Sequence, residues 1–154
     1  MKQEDLLLID LCSRLYYKVK VSLIYNNEEY KGTLCAIYPE DNRVIIDDLN
    51  KSCHYYNQTC GGFLIDENKV KPYLFPLSSM TKKQKIEYHQ STSKDIDMLQ
   101  DVILERINGK DNNNKHAIAY NGIDWLNAHL FDYRGLIEKG LAIDATGLNI
   151  YKEG

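Results

Sequence analysis

From Lys18 to Tyr25 the chain reads KVKVSLIY, with Val19, Val21 and Leu23 alternating with Lys18, Lys20 and Ser22. A period of two puts the apolar residues on one face of an extended segment and the polar ones on the other, which a helix cannot do. The segment just before it obeys a different rule. Between Glu4 and Leu15, the residues Leu7, Leu8, Leu11, Cys12 and Leu15 recur at three- and four-residue spacing, with Glu4, Asp10 and Arg14 opposite. The spacing predicts a short amphipathic helix ending near Tyr16, its charged side outward.

The strand rhythm continues well past Tyr25. Asn26-Asn27 suits a tight turn, and EEYKGTLCAIY follows as a second strand in which Gly32 predicts a bulge or sharp bend. Pro39-Glu40-Asp41-Asn42 marks the next turn, and RVIIDDL a third strand. SCHYYNQT at residues 52–59, FLID and KVKPYLF supply further short strands, with Pro72 restricting the last to an edge or ending it. Five or six short strands in one compact stretch, led by a helix, predict an α+β fold built on a small SH3-like or Sm-like β-barrel.

After Pro76 the pattern turns helical. Thr81 and Gln84 stand at capping-box spacing, in which each side chain satisfies a free backbone donor of the other. Ile96, Leu99, Ile103 and Ile107 make an apolar stripe ending at Asn108-Gly109, and KDNNNK at residues 110–115 reads as a loop. IDWLNAHLF predicts a further helix, with Asp132 capping a following turn and a terminal hairpin around Thr146-Gly147. The expected organisation is therefore a helix plus barrel over 1–77 and a helical region over 78–154.

Composition narrows the classes of function. The 22 acids outnumber the 19 basic residues, giving a formal charge of -3. Duplex-binding domains draw most of their affinity from phosphate contacts and show a basic excess, so nucleic acid is a disfavoured partner. Acids inside the first apolar run argue against a secretory leader, and no window reaches membrane-span length. A cytoplasmic location follows as the expectation, with Cys12, Cys35, Cys53 and Cys60 as reduced thiols.

Two strings carry a resemblance. KVKPYLFPLSSMT at 69–81 and WLNAHLFDYRGLIEKGLAID at 125–144 resemble a family of small proteins encoded by bacteriophages and prophages of gut bacteria. The resemblance implies a lineage, the cytoplasm of a bacterial host and an accessory role toward host physiology or defence. It implies no active-site residue.

The chain's own residues point to binding more than to catalysis. Cys53, His54 and Cys60 lack the second ligand pair of a structural zinc site, and no sequence context pairs a thiol with a histidine base. Cys60-Gly61-Gly62 lacks the ending of a phosphate loop. No catalytic residue, metal or cofactor is expected. Tyrosine is the conspicuous residue, with 12 in the chain, and an exposed tyrosine offers rigid area for stacking on a base or filling a partner's pocket. Tyr17, Tyr55, Tyr56, Lys69, Lys71 and Arg134 are the candidate ligand-binding residues, joining aromatic stacking to phosphate contact. The reading is a non-enzymatic accessory protein that binds a host protein or a nucleotide-type small molecule, with a second copy of the chain (a homo-oligomer) as a further candidate partner. The alternatives are a single-stranded nucleic-acid module and a phage structural or assembly protein.

Overall fold

The computed structural model describes residues 2–51, 62–92 and 122–151. The expected helix is present as α1, Gln3–Arg14, and a 3-10 turn, Leu15–Tyr17, follows it. Its buried side is not the expected one. Leu7 and Leu11 are buried, but so are Asp10 and Arg14, both at 0% exposure, while Cys12 is exposed. The stripe i, i+3, i+4, i+7 thus runs Leu7, Asp10, Leu11, Arg14. Two opposite charges, paired with each other, share the buried stripe with two leucines.

The alternating segment is a strand. β1, Lys20–Tyr25, pairs antiparallel with β2, Glu28–Tyr38, through a two-residue turn in which Asn26 and Asn27 have φ of 49° and 61°. Positive φ at both positions is the turn geometry that matches strand twist, and Asn tolerates it. β3, Arg43–Asp47, pairs with β2, and β4, Phe63–Leu64, pairs with β3. The bulge expected at Gly32 lies instead between Leu34 and Ala36. Gly32 answers a different need: a Cβ there would stand 2.5 Å from Ile46 Cγ2 and 2.6 Å from the Asp47 carbonyl oxygen. Neighbouring chain fills the space a side chain would take.

β5, Lys71–Pro76, pairs antiparallel with β1, and Pro72 sits inside it opposite Val21. Two very short strands run parallel to β5: β6, Phe131–Asp132, and β7, Ile143–Asp144. The strand order is β4-β3-β2-β1-β5-β6, with β7 also on β5. Among the described residues this is an open, mostly antiparallel sheet in an α+β fold. Among the described residues the sheet does not close into the barrel expected from strand rhythm, because rhythm counts strands without fixing whether the first meets the last. The strand expected at residues 52–59 lies outside the described residues, as do the stripe at 96–107 and the loop at 110–115.

The chain divides into two compact units, Met1–Leu74 with Arg134–Gly154, and Phe75–Tyr133. The closing segment belongs with the first unit. Ile143 and Asp144 pair with Tyr73 and Leu74, which draws that segment back onto β5. Among the described residues no terminal hairpin forms around Gly147.

The core face of the first unit's sheet carries Val21, Leu23, Leu34, Val44, Ile46 and Leu74, all at 2% exposure or less. In the second unit, α2, Lys82–Thr92, begins with the expected capping box: Thr81 N–H donates to Gln84 Oε1 at 2.9 Å, and Gln84 N–H to Thr81 Oγ1 at 3.2 Å. Residues 122–128 form α3. Met80, Tyr88, Leu126, Phe131 and Tyr133 make this unit's core, with Trp125 packed against it. Trp125 stacks on His129 at 3.9 Å and meets Tyr88 edge-on at 5.4 Å. Asp132, expected to cap a turn, is a buried residue at the end of β6.

Candidate functional site

The face of β2, β1 and β5 opposite the core is polar, and register decides what meets there. Ser22 on β1 lies opposite Lys31 on β2 and opposite Lys71 on β5. Directly opposed residues project from the same face, so a Lys31–Ser22–Lys71 row crosses three strands. In the next row Lys20 lies opposite Thr33, and its Nζ donates to Thr33 Oγ1 at 2.6 Å. On the other side of the row, Glu29 lies opposite Ile24.

Beneath this charged rim runs a layer of hydroxyls. Ser22 is 5% exposed, Thr33 8% and Tyr73 2%. The Ser22 hydroxyl donates to Glu29 Oε1 at 3.2 Å and the Tyr73 phenol donates to the same oxygen at 3.3 Å. Tyr73 therefore reaches from β5 across the small Ser22 to β2. Lys31 Nζ stands 5.9 Å from the centre of the Tyr73 ring, a contact in which the ring's negative face attracts the ammonium. Burial raises the Tyr73 phenol above the usual tyrosine pKa, and the Glu29 charge adds to the rise. It is a hydrogen-bond donor at neutral pH.

Lys20, Lys31 and Lys71 are all half-buried. Among the described residues none of them forms an ion pair, and the one carboxylate in these rows on β2, β1 and β5 is Glu29. Asp47 borders the site from β3, opposite Thr33, where it accepts the Cys35 thiol and holds that thiol's pKa up. The result is a local excess of positive charge on a chain whose overall charge is -3.

The backbone under the site is tightly held. Lys31 N–H donates to Asn50 Oδ1 at 2.9 Å, and Asn50 N–H returns a bond to the Lys31 carbonyl at 2.8 Å. On the β5 side, carrying the register one step beyond Val21–Pro72 sets Lys20 opposite Tyr73. There the Tyr151 hydroxyl accepts from Lys20 N–H at 2.9 Å and donates to the Tyr73 carbonyl at 2.7 Å. A phenol thus takes the place of a ladder hydrogen bond. Its position makes Lys20–Tyr73 the hydrogen-bonding pair and Val21–Pro72 the next, non-hydrogen-bonding one, which is why Pro72 is tolerated inside the strand.

The expected site residues divide. Lys71 joins the row. Lys69 is exposed in the turn before β5, at φ 47°. Tyr17 is in the 3-10 turn after α1, edge-on to the exposed Tyr16 with ring centres 5.3 Å apart. Tyr55 and Tyr56 lie outside the described residues. Arg134 goes elsewhere: its Nε is 3.2 Å from Asp10 Oδ1 and its Nη2 donates to Ser13 Oγ at 3.2 Å. Asp10 in turn receives Arg14 through a fork, Nε to Oδ2 at 2.8 Å and Nη2 to Oδ1 at 3.1 Å. Within the first unit, Arg134 thus shares the Asp10 carboxylate with Arg14.

The alternation in KVKVSLIY already placed Lys20 and Ser22 on one face. Nothing in the sequence announced that Lys31, Lys71, Glu29 and Tyr73 would be their neighbours. Chemically the cluster offers ammoniums, hydroxyl donors and one carboxylate acceptor. Among the described residues no group of His, Cys, Asp and Glu could hold a metal ion, and no helix is long and apolar enough to cross a membrane. Comparison with family models, with curated proteins and with solved structures returned no match.

Proposed function

We propose that the chain is a non-enzymatic binding protein whose Lys31–Ser22–Lys71 row holds an anionic, phosphate-bearing ligand. The observation that carries this reading is the set of three half-buried lysines, free of ion pairs among the described residues, on the same sheet face as buried hydroxyls. An ammonium is a strong phosphate partner as a point charge, and half-burial raises its effect by lowering the local dielectric.

Binding rather than catalysis is favoured by the chemistry of the row. The Ser22 hydroxyl hydrogen-bonds an exposed carboxylate, with no imidazole between them to take its proton. A serine nucleophile needs such a positioned base.

The ligand class agrees with an accessory protein, of phage lineage, that sequesters a nucleotide signal in the cytoplasm of a bacterial host. The resemblance of the 69–81 and 125–144 strings supports the lineage part of that reading. Calorimetric titration with pyrophosphate and a panel of linear and cyclic nucleotides tests it. Saturable binding that weakens in Lys31→Ala and Lys71→Ala is the expected result. Silence across the panel overturns the reading.

A further inference from the structure

Glu29 is out of place in a site for a bare anion, and its geometry says what the ligand must carry besides charge. Both hydrogen bonds it receives, from Ser22 and from Tyr73, end on Oε1. Oε2 is left as an acceptor on an exposed residue at the rim. The nearest ammonium on the same strand is Lys31, two residues on and on the same face. Strand geometry sets the two Cα atoms roughly 6.5–7 Å apart. A ligand spanning them presents an anion at one end and a hydrogen-bond donor at the other.

An inorganic anion meets only half of that demand, and Glu29 repels it. A phosphate ester of a sugar meets both halves, because its phosphate faces Lys31 and its ring hydroxyls donate to Glu29. Hydrogen bonds from hydroxyls to an ionised carboxylate are among the stronger ones. A carboxylate already anchored by two protein hydroxyls is also fixed in orientation before the ligand arrives. Resting on the anion-site reading above, we infer that the site selects a pentose phosphate, free or as part of a nucleotide. In this arrangement Glu29 recognises the sugar hydroxyls while Lys31 holds the phosphate.

The test compares ribose 5-phosphate, its 2,3-dideoxy counterpart and inorganic phosphate by calorimetric titration, on the intact chain and on Glu29→Gln. Glutamine keeps a carbonyl oxygen for Ser22 and Tyr73 but replaces the other acceptor with a donor. The expected result is that ribose 5-phosphate binds about tenfold more tightly than the dideoxy compound. In Glu29→Gln that preference falls to near parity, while inorganic phosphate binds as well as before or better. Adenosine 5′-monophosphate, run alongside, distinguishes a nucleotide from a bare sugar phosphate, either of which supports the inference. Equal affinity for the ribose and dideoxy compounds overturns the inference and leaves the anion site standing. A preference that survives in Glu29→Gln does the same. Absence of binding by all of the phosphates overturns both.

Discussion

Lys20 and Tyr73 face each other across β1 and β5, and the hydroxyl of Tyr151 stands between the amide of one and the carbonyl of the other. The closing segment is thereby stitched into the first unit at the place where two strands of the candidate site begin to diverge. Removing the hydroxyl strands a backbone donor and a backbone acceptor together. Tyr151→Phe is expected to destabilise the fold by about 1–3 kcal/mol. Amide exchange at Lys20 should accelerate more than at Val21 or Leu23. Unchanged protection at Lys20 would show that the bridge contributes nothing.

The same phenol makes stability sensitive to alkaline pH. Burial raises the Tyr151 pKa well above its usual value of about 10, and burial raises Tyr73 as well. In the unfolded chain both ionise near their usual value, so above about pH 10 the unfolded state gives up protons that the folded state keeps. The stabilisation is complete below that pH and is lost as the pH rises further. Denaturant midpoints measured from about pH 8 to about pH 11.5 should fall at the upper end. The fall should be shallower in Tyr151→Phe.

Asp10 and Arg14 form a buried ion pair on a helix stripe that otherwise carries leucine. Breaking such a pair leaves a charge in the interior, so Asp10→Ala is expected to cost about 3–5 kcal/mol. Replacing both partners with apolar residues removes the charges together, and Asp10→Leu with Arg14→Met should cost much less than the single change. Arg134 is 23% exposed in its side chain, and truncating it to Ala should cost less than truncating Asp10. Thermal melts of the three variants check the order.

Gly32 is fixed by its neighbours. A methyl at this position would stand 2.5 Å from Ile46 Cγ2 and 2.6 Å from the Asp47 oxygen, and pushing β3 away disturbs the β2–β3 ladder. Gly32→Ala is expected to destabilise by about 1–3 kcal/mol, read from the urea midpoint. A neutral result would mean that β2 and β3 separate freely at this point.

Cys35 is exposed but should be a slow nucleophile. Its thiol hydrogen-bonds Asp47, and with desolvation and the charges of Asp47 and Asp48 this raises its pKa. Little thiolate is then present at neutral pH. Alkylation of Cys35 at pH 7 should be slower than that of a free cysteine peptide, and Asp47→Asn should speed it. Peptide mapping with iodoacetamide distinguishes Cys35 from Cys12.

The local rules were readable where each depends on a few adjacent residues. Alternation in KVKVSLIY, the Asn26-Asn27 turn and the Thr81–Gln84 box all have their cause within a handful of positions. The failures share one cause, which is that the deciding partner is distant in sequence. Asp10 and Arg14 looked like the wet side of α1 because their spacing was read without each other as partners. Gly32 looked like a bulge because the close approach of Ile46 leaves no local mark. Lys71 was singled out as a phosphate contact. Its companions Lys31 and Lys20 were not, since only strand register sets them around Ser22.

The most direct test of the central claim is a proton–nitrogen NMR titration of the intact chain with pyrophosphate. The largest saturable amide shifts are predicted at Ser22, Lys31 and Lys71, with smaller ones at Lys20 and Thr33. Shifts concentrated on other parts of the chain, or no saturable shift at all, would contradict it.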